Sequence, residues 1–128
     1  MKLTKNFKKS EFDCSCGCEM PNEVLINVQK LANQLQMLRD KVGVSIKINS
    51  AYRCPKHNKA IGGVLNSQHI LGNASDVVIE GFKPSKTFDL ISELIDKGDM
   101  LQGGLGSYRT FTHYDIRKTK ARWNFTKK

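Results

Sequence analysis

The sequence predicts an α+β domain with a small, mostly antiparallel sheet and flanking helices. Three features predict it: two stretches with apolar residues at helical spacing, short stretches alternating apolar with polar, and long polar segments punctuated by glycine. The helices are separated from each other in sequence by strands and loops.

From Asn22 the apolar positions Val24, Val28, Leu31, Leu35 and Leu38 recur every three or four residues until Gly43. That pattern is an amphipathic helix of about five turns whose stripe faces the core. Residues 44–49, "VSIKIN", set Val44, Ile46 and Ile48 against Ser45, Lys47 and Asn49, a half-buried strand. Residues 50–73 form a long polar segment carrying Pro55, Gly62, Gly63 and Gly72, and loops of that length are usually functional. "ASDVVI", 74–79, returns to strand character. Ser85 is expected to cap a second helix with Phe88, Ile91, Leu94 and Ile95 on one face, ended by Gly98. After "GGLGSY", the segment 111–117, "FTHYDIR", is the last clear strand. Its alternation puts Phe111, His113, Asp115 and Arg117 on one face and Thr112, Tyr114 and Ile116 on the other.

The 128 residues suffice for one domain with its own core, without disulfides or metal merely to fold. No apolar stretch approaches the roughly eighteen residues of a membrane span. The opening "MKLTKNFKKSEF" lacks the apolar segment and cleavage site of a secretory signal, so synthesis in the cytoplasm is expected. The net charge of +9 collects at the ends, in Lys2, Lys5, Lys8 and Lys9 and in Arg117, Lys118, Lys120, Arg122, Lys127 and Lys128. Such a distribution suits tethering to a polyanion better than reading bases, although a solvated lysine-rich surface accounts for it as well. Nucleic-acid binding rests on charge alone, since only Trp123 and Phe125 in the basic tail could stack on bases.

Four cysteines stand in "CSCGC" (Cys14, Cys16, Cys18) and "YRCPKH" (Cys54). Neighbours two apart are poorly placed to bridge, so oxidation would pair one of the three with Cys54. Reduced, they are plain thiols or a second, four-sulfur zinc site. The Cys-x-Cys spacing is tighter than the usual knuckle and favours thiols or one bridge over metal.

A zinc hydrolase needs three protein ligands and one open position. Only three histidines are present: His57, His69 and His113. His69 in a loop, Asp76 at the start of the next strand and His113 on the last strand could fill three tetrahedral positions. Taken singly, each has a plainer reading; a strand histidine is more often a packed core residue.

The segment "SAYRCPKHNKAIGGVLNSQHILGNASDVVI" is similar to the pattern S-x-Y-R, N-x-x-x-G-G, S-x-H-x-x-G-x-A-x-D of the zinc D-Ala-D-Ala carboxypeptidase family, metallopeptidases that share a fold with the hedgehog signalling domain. "GGLGSYRTFTHYDIR" resembles that family's closing G-x-G-x-Y and H-x-D-x-R, and "FKKSEFDCSCGC" looks like phage-encoded members. The resemblance covers roughly residues 10–117, leaving 118–128 as a basic C-terminal tail of a single domain. It implies one zinc ion held by His69, Asp76 and His113, and Arg53 placed to hold a substrate carboxylate or an oxyanion. Ser67 and Tyr108 could add substrate hydrogen bonds; a loop-capping Ser67 and a core Tyr108 fit nearly as well. Asn58 and the Gly62-Gly63 pair are expected to shape the loop. Some relatives carry a glutamate three residues before the last zinc histidine as general base, where this chain has Thr110. Asp115 would then either move protons or receive the N–H of a ligand histidine and fix its tautomer. His57 is a candidate proton carrier.

The resemblance implies a peptidase acting on peptidoglycan stem peptides or cross-links, a phage lysin or wall-modifying enzyme, monomeric, with anionic wall polymers as partners of its basic ends. It would reach the wall after release or as part of a virion. The alternative is a zinc-containing binding module of the same fold that does not cleave.

Overall fold

The computed structural model describes residues 1–63 and 67–125. In chain order these form a 3₁₀ turn, Lys9–Phe12, and helix α1, Asn22–Val42, followed by strand β1, Ile46–Ser50, and helix α2, Pro55–Ala60. Strand β2, Ala74–Ile79, and helix α3, Pro84–Asp96, come next. Strands β3, Gly104–Ser107, β4, Thr112–Asp115, and β5, Ala121–Asn124, complete the order. The strands make one sheet in the order β1-β2-β4-β3-β5, antiparallel except for the parallel pair β3 and β5. The α+β class with a small, mostly antiparallel sheet is the one the sequence predicts.

The helical periodicity is realised residue for residue in α1. Val24, Val28, Leu31, Leu35 and Leu38 are all buried, and Gly43 ends the helix in the left-handed region at φ 70°. In α3, Ile91, Leu94 and Ile95 are buried and Phe88 is half-buried. Both stripes join one core with Val77, Ile79, Leu105 and Tyr114 of the sheet and with Phe7 and Phe12 of the N-terminal segment. Among the described residues, no helix is long and apolar enough to cross a membrane.

Four details depart from the sequence expectations. The second helix is preceded by Lys83, with Pro84 in its first turn, so Ser85 is not the cap; proline's fixed φ already suits that position. The polar segment 50–73 contains α2, a short helix started by Pro55 whose apolar content is too low to register as periodic. "GLGS" is a strand, β3, although its glycines carry no strand propensity. Residues 121–124, read as part of the basic tail, form β5 along β3. Residues 64–66 of the polar segment, and Lys127 and Lys128 of the tail, lie outside the described residues.

The register between β1 and β2 shifts between Ile48 and Ser50, so that Ser50 faces Asp76. Such a bulge bends the strand and redirects the chain beyond it. Here it carries residues 51–53 past the sheet: the Tyr52 amide donates to the Phe12 carbonyl at 3.0 Å, and the Arg53 amide to the His69 carbonyl at 3.1 Å.

Leu35 is fully buried and Met37, two residues on, is exposed. Leu35→Ala should therefore lower the unfolding free energy by about 2–5 kcal/mol, and Met37→Ala by less than about 0.5 kcal/mol. Urea denaturation at fixed metal content, with unchanged slope, measures both.

Candidate metal centre

The antiparallel register of β2 and β4 sets Asp76 directly opposite His113. Both side chains therefore rise from the same face of the sheet. The turn before β2 brings in His69, whose Nε2 lies 3.4 Å from Asp76 Oδ2, while His113 Nδ1 lies 3.1 Å from Asp76 Oδ1. The two imidazole rings stand edge to face, 5.3 Å between centroids. One ligand atom from each of the three residues lies within 4.8 Å of the others, and all three residues are buried.

Each imidazole is oriented from behind. His69 Nδ1 is 2.6 Å from the Ala51 carbonyl; a carbonyl only accepts, so Nδ1 carries the hydrogen and Nε2 is left with its lone pair toward Asp76. His113 Nε2 is 2.7 Å from Asp115 Oδ2, which puts a hydrogen on Nε2 and turns Nδ1 toward Asp76. Two imidazoles and a carboxylate with their lone pairs converging are the donor set that suits zinc, with room for a fourth ligand on the open side. A backbone carbonyl behind His69 and a carboxylate behind His113 are usual means of fixing a ligand ring.

Asp115 has no solvent exposure at all. Besides His113 it accepts from Arg117 Nε at 2.9 Å, Arg117 Nη2 at 2.7 Å, the Arg117 amide at 3.1 Å and the Gly104 amide at 2.8 Å. A Cβ at Gly104 would overlap Asp115 Oδ2, so only glycine permits this approach. Burial alone would raise the Asp115 pKa, but hydrogen bonds from His113 and Arg117 hold it well below the usual carboxylate range. Asp76 behaves alike: burial opposes its charge, yet His113 and His69 keep its pKa down at about 2. For His113, burial opposes protonation and is outweighed by Asp115 and Asp76, which raise its pKa.

The three residues sit in a cleft of about 550 Å³. Arg53 lines it, with Nη2 3.7 Å from Asp76 Oδ2; its Nη1 donates to Asn58 Oδ1 at 3.0 Å and its Nε to Ser50 Oγ at 3.3 Å. A Cβ at Gly63 would overlap Asn58 Oδ1, so Asn58 and Gly63 together shape the ground under Arg53. Ser67 lines the cleft but its Oγ accepts from the His69 amide at 3.1 Å, which ties the ligand turn. Tyr108 stacks on Phe111 at 4.4 Å and its hydroxyl accepts from Trp123 Nε1 at 2.9 Å. His57 lines a separate groove with Cys16, Cys18 and Cys54. Thr110 is exposed, and Asp76 is the one carboxylate among the described residues lining the cleft.

A sequence profile described as Peptidase M15 matches residues 4–115. The chain belongs to the Peptidase M15 family. No curated protein sequence matches it. Membership makes the chain a metallopeptidase by descent, and the M15 site is zinc-dependent; His69, Asp76 and His113 are the candidate ligands in this member.

Three residues of this M15 cleft have no place at the site in the sequence expectations, which count Arg117 among the basic ends and Trp123 and Phe125 in the basic tail. Alternation along the strand puts Arg117 on the His113 and Asp115 face but does not assign it to the site; its place as the last residue of the H-x-D-x-R pattern is the available signal. Trp123 packs on His113 at 5.1 Å and beneath Arg117 at 5.5 Å, and Phe125 contacts Tyr108 at 5.4 Å. No local signal announces these two aromatics, because β5 reaches the site only by pairing with β3. Arg122, counted among the basic ends, donates to the Gly103 and Ala121 carbonyls and to Gln102.

Asp115→Asn weakens the hold on the His113 tautomer and sets an amide nitrogen against donors, so stability should fall and the zinc affinity of the folded protein should drop about 10- to 100-fold; urea denaturation reads the first and competition with a chromophoric chelator the second. Because the His113 pKa is raised, protons compete for this ligand to higher pH than for a free imidazole. In wild type, zinc affinity should therefore decline as pH falls through that raised value, which calorimetry at several pH values would register.

Proposed function

We propose that the chain is a zinc-dependent peptidase hydrolysing peptide bonds of bacterial peptidoglycan, as a carboxypeptidase or endopeptidase, in the manner of a phage lysin or wall-modifying enzyme. The observation carrying this reading is the convergence of His69, Asp76 and His113 within 4.8 Å in a cleft that also presents Arg53, in a chain of the M15 family. Zinc held there would polarise a peptide carbonyl and lower the pKa of a water molecule toward neutrality.

The chain's own residues prepare the rest. Arg53 is fixed by Ser50 and Asn58, so its guanidinium is presented to the cleft without loss of further rotamer freedom. It can hold a substrate carboxylate or the oxygen that gains charge when the peptide carbonyl is attacked. Arg53 and Arg117 give the cleft a cationic margin, while Tyr108, Phe111 and Trp123 supply an apolar wall. A short peptide bearing carboxylates, as peptidoglycan stem peptides do, fits that combination. Asp115 acts on the reaction through His113: both its oxygens are engaged and none of its surface reaches the cleft, so it orients the ligand ring. The lysines at the chain ends would add attraction to anionic wall polymers.

A second reading, a zinc-containing binding module that does not cleave, is favoured by one observation. Thr110 stands where some relatives carry a glutamate, and the described cleft offers no free carboxylate to take a proton. Turnover separates the two. Zinc-loaded wild type should release new amino groups from purified peptidoglycan, and His113→Ala should release none and hold less zinc. Arg53→Ala should keep its zinc while kcat/KM drops about 100-fold or more. Zinc that is present in wild type and lost in His113→Ala, with no release from any wall tested, would establish the binding module.

A further inference from the structure

The four cysteines, expected from their spacing to be thiols or one bridge, come together as one group. Cys14 Sγ lies 3.3 Å from Cys16 Sγ and 3.9 Å from Cys54 Sγ, and Cys16 Sγ lies 3.4 Å from Cys54 Sγ. All four sulfurs, Cys18 included, lie within 4.8 Å of one another. They are free thiols in this structure.

The local backbone explains how three cysteines spaced by two can share a centre. The Gly17 amide closes a turn onto the Cys14 carbonyl at 3.0 Å, and Gly17 takes φ 83°, a left-handed conformation that folds the chain back on itself. Cys18 thereby returns to the side occupied by Cys14 and Cys16. Cys54 arrives from the opposite direction, at the entry to α2. Backbone amides already point at the sulfurs: the Cys54 amide donates to Cys14 Sγ and the His57 amide to Cys54 Sγ, both at 3.4 Å.

We propose that Cys14, Cys16, Cys18 and Cys54 bind a second zinc ion as a closed tetrathiolate site that pins the N-terminal segment to the strand end carrying Arg53. Zinc–sulfur bonds of about 2.3 Å in a tetrahedron set sulfur–sulfur edges of about 3.8 Å. The separations observed bracket that value, and they do so around several sulfurs at once. A disulfide would draw two together to about 2.05 Å and leave the other two unused, whereas no single pair stands apart here. Four sulfur donors in a tetrahedral arrangement select zinc over the oxygen-seeking cations. Four thiolates around a divalent ion leave a net charge of −2, and Lys56 and His57 line the same groove. With every position filled by protein the ion has no place for water, so this site is structural and separate from His69, Asp76 and His113. Its leverage is positional: Cys54 follows Arg53 directly, and the Tyr52 amide bonds the Phe12 carbonyl just before Cys14.

Full-length protein, purified under reducing conditions without chelator, should contain two zinc ions per chain by elemental analysis. His113→Ala and Cys18→Ser should each contain one. Cobalt-substituted His113→Ala should show thiolate-to-cobalt charge-transfer absorption, a signature that needs no folded Cys18→Ser and no peptidase activity. The proposal is overturned if His113→Ala holds no zinc, if its cobalt form lacks those bands, or if denatured, unreduced wild type titrates two thiols short. A single zinc that survives His113→Ala and disappears in Cys18→Ser would uphold the tetrathiolate site while removing the catalytic one.

Discussion

A carboxylate with no contact with solvent stands in the middle of the sheet, and the C-terminal third of the chain is arranged to keep it charged. An unpaired charge in that position would be prohibitive. Asp115 instead meets the Nε–Nη2 edge of the Arg117 guanidinium, two backbone amides and the His113 ring. Each partner commits an element. The Gly104 amide brings β3 close enough that no side chain is allowed there, Arg117 lies over Trp123 and so meets β5, and His113 is turned to present Nδ1 to Asp76. The orientation of one candidate metal ligand is thus a consequence of how a buried charge is satisfied.

The other two candidate ligands are held as firmly by backbone. Asp76 is placed by the register of two central strands, and His69 by a turn whose amide is tied to Ser67 and whose ring is tied to Ala51. The bulge in β1 connects these pieces, since residues 51–53 leave the sheet there to bond the His69 carbonyl and carry Arg53 to the cleft. Metal and substrate would therefore meet groups already ordered, which lowers the entropic cost of binding. That order is built from the N-terminal segment as well: Phe12 bonds Tyr52, and the cysteine group lies at the far side of the same short stretch.

Much of this architecture is legible in the sequence, for particular reasons. The stripe of α1 is visible because a helix burying one face must repeat every three or four residues, and all five apolar positions from Val24 to Leu38 are in the core. The shared face of His113 and Asp115 follows from the period of two along a strand, and the hydrogen bond between them is its outcome. His69 and Asp76 emerge from residue type, order and family resemblance.

Other features depend on contacts between distant parts of the chain and leave no local trace. β3 is a strand because β4 and β5 bond to it on either side, despite its glycines, and those glycines are present because Asp115 and Trp123 press against them. The basic run after Arg117 reads as solvated tail by composition, yet 121–124 enter the sheet and Arg122 is spent on backbone carbonyls. Cysteine spacing argues against a shared centre until Gly17 reverses the chain and Cys54 arrives from forty positions away. The sequence by itself determined the periodic elements and the chemical types of the site, because periodicity and residue chemistry are local. Only the tertiary structure decided which groups face one another, because strand register, close approach and charge pairing are properties of residues far apart in the chain.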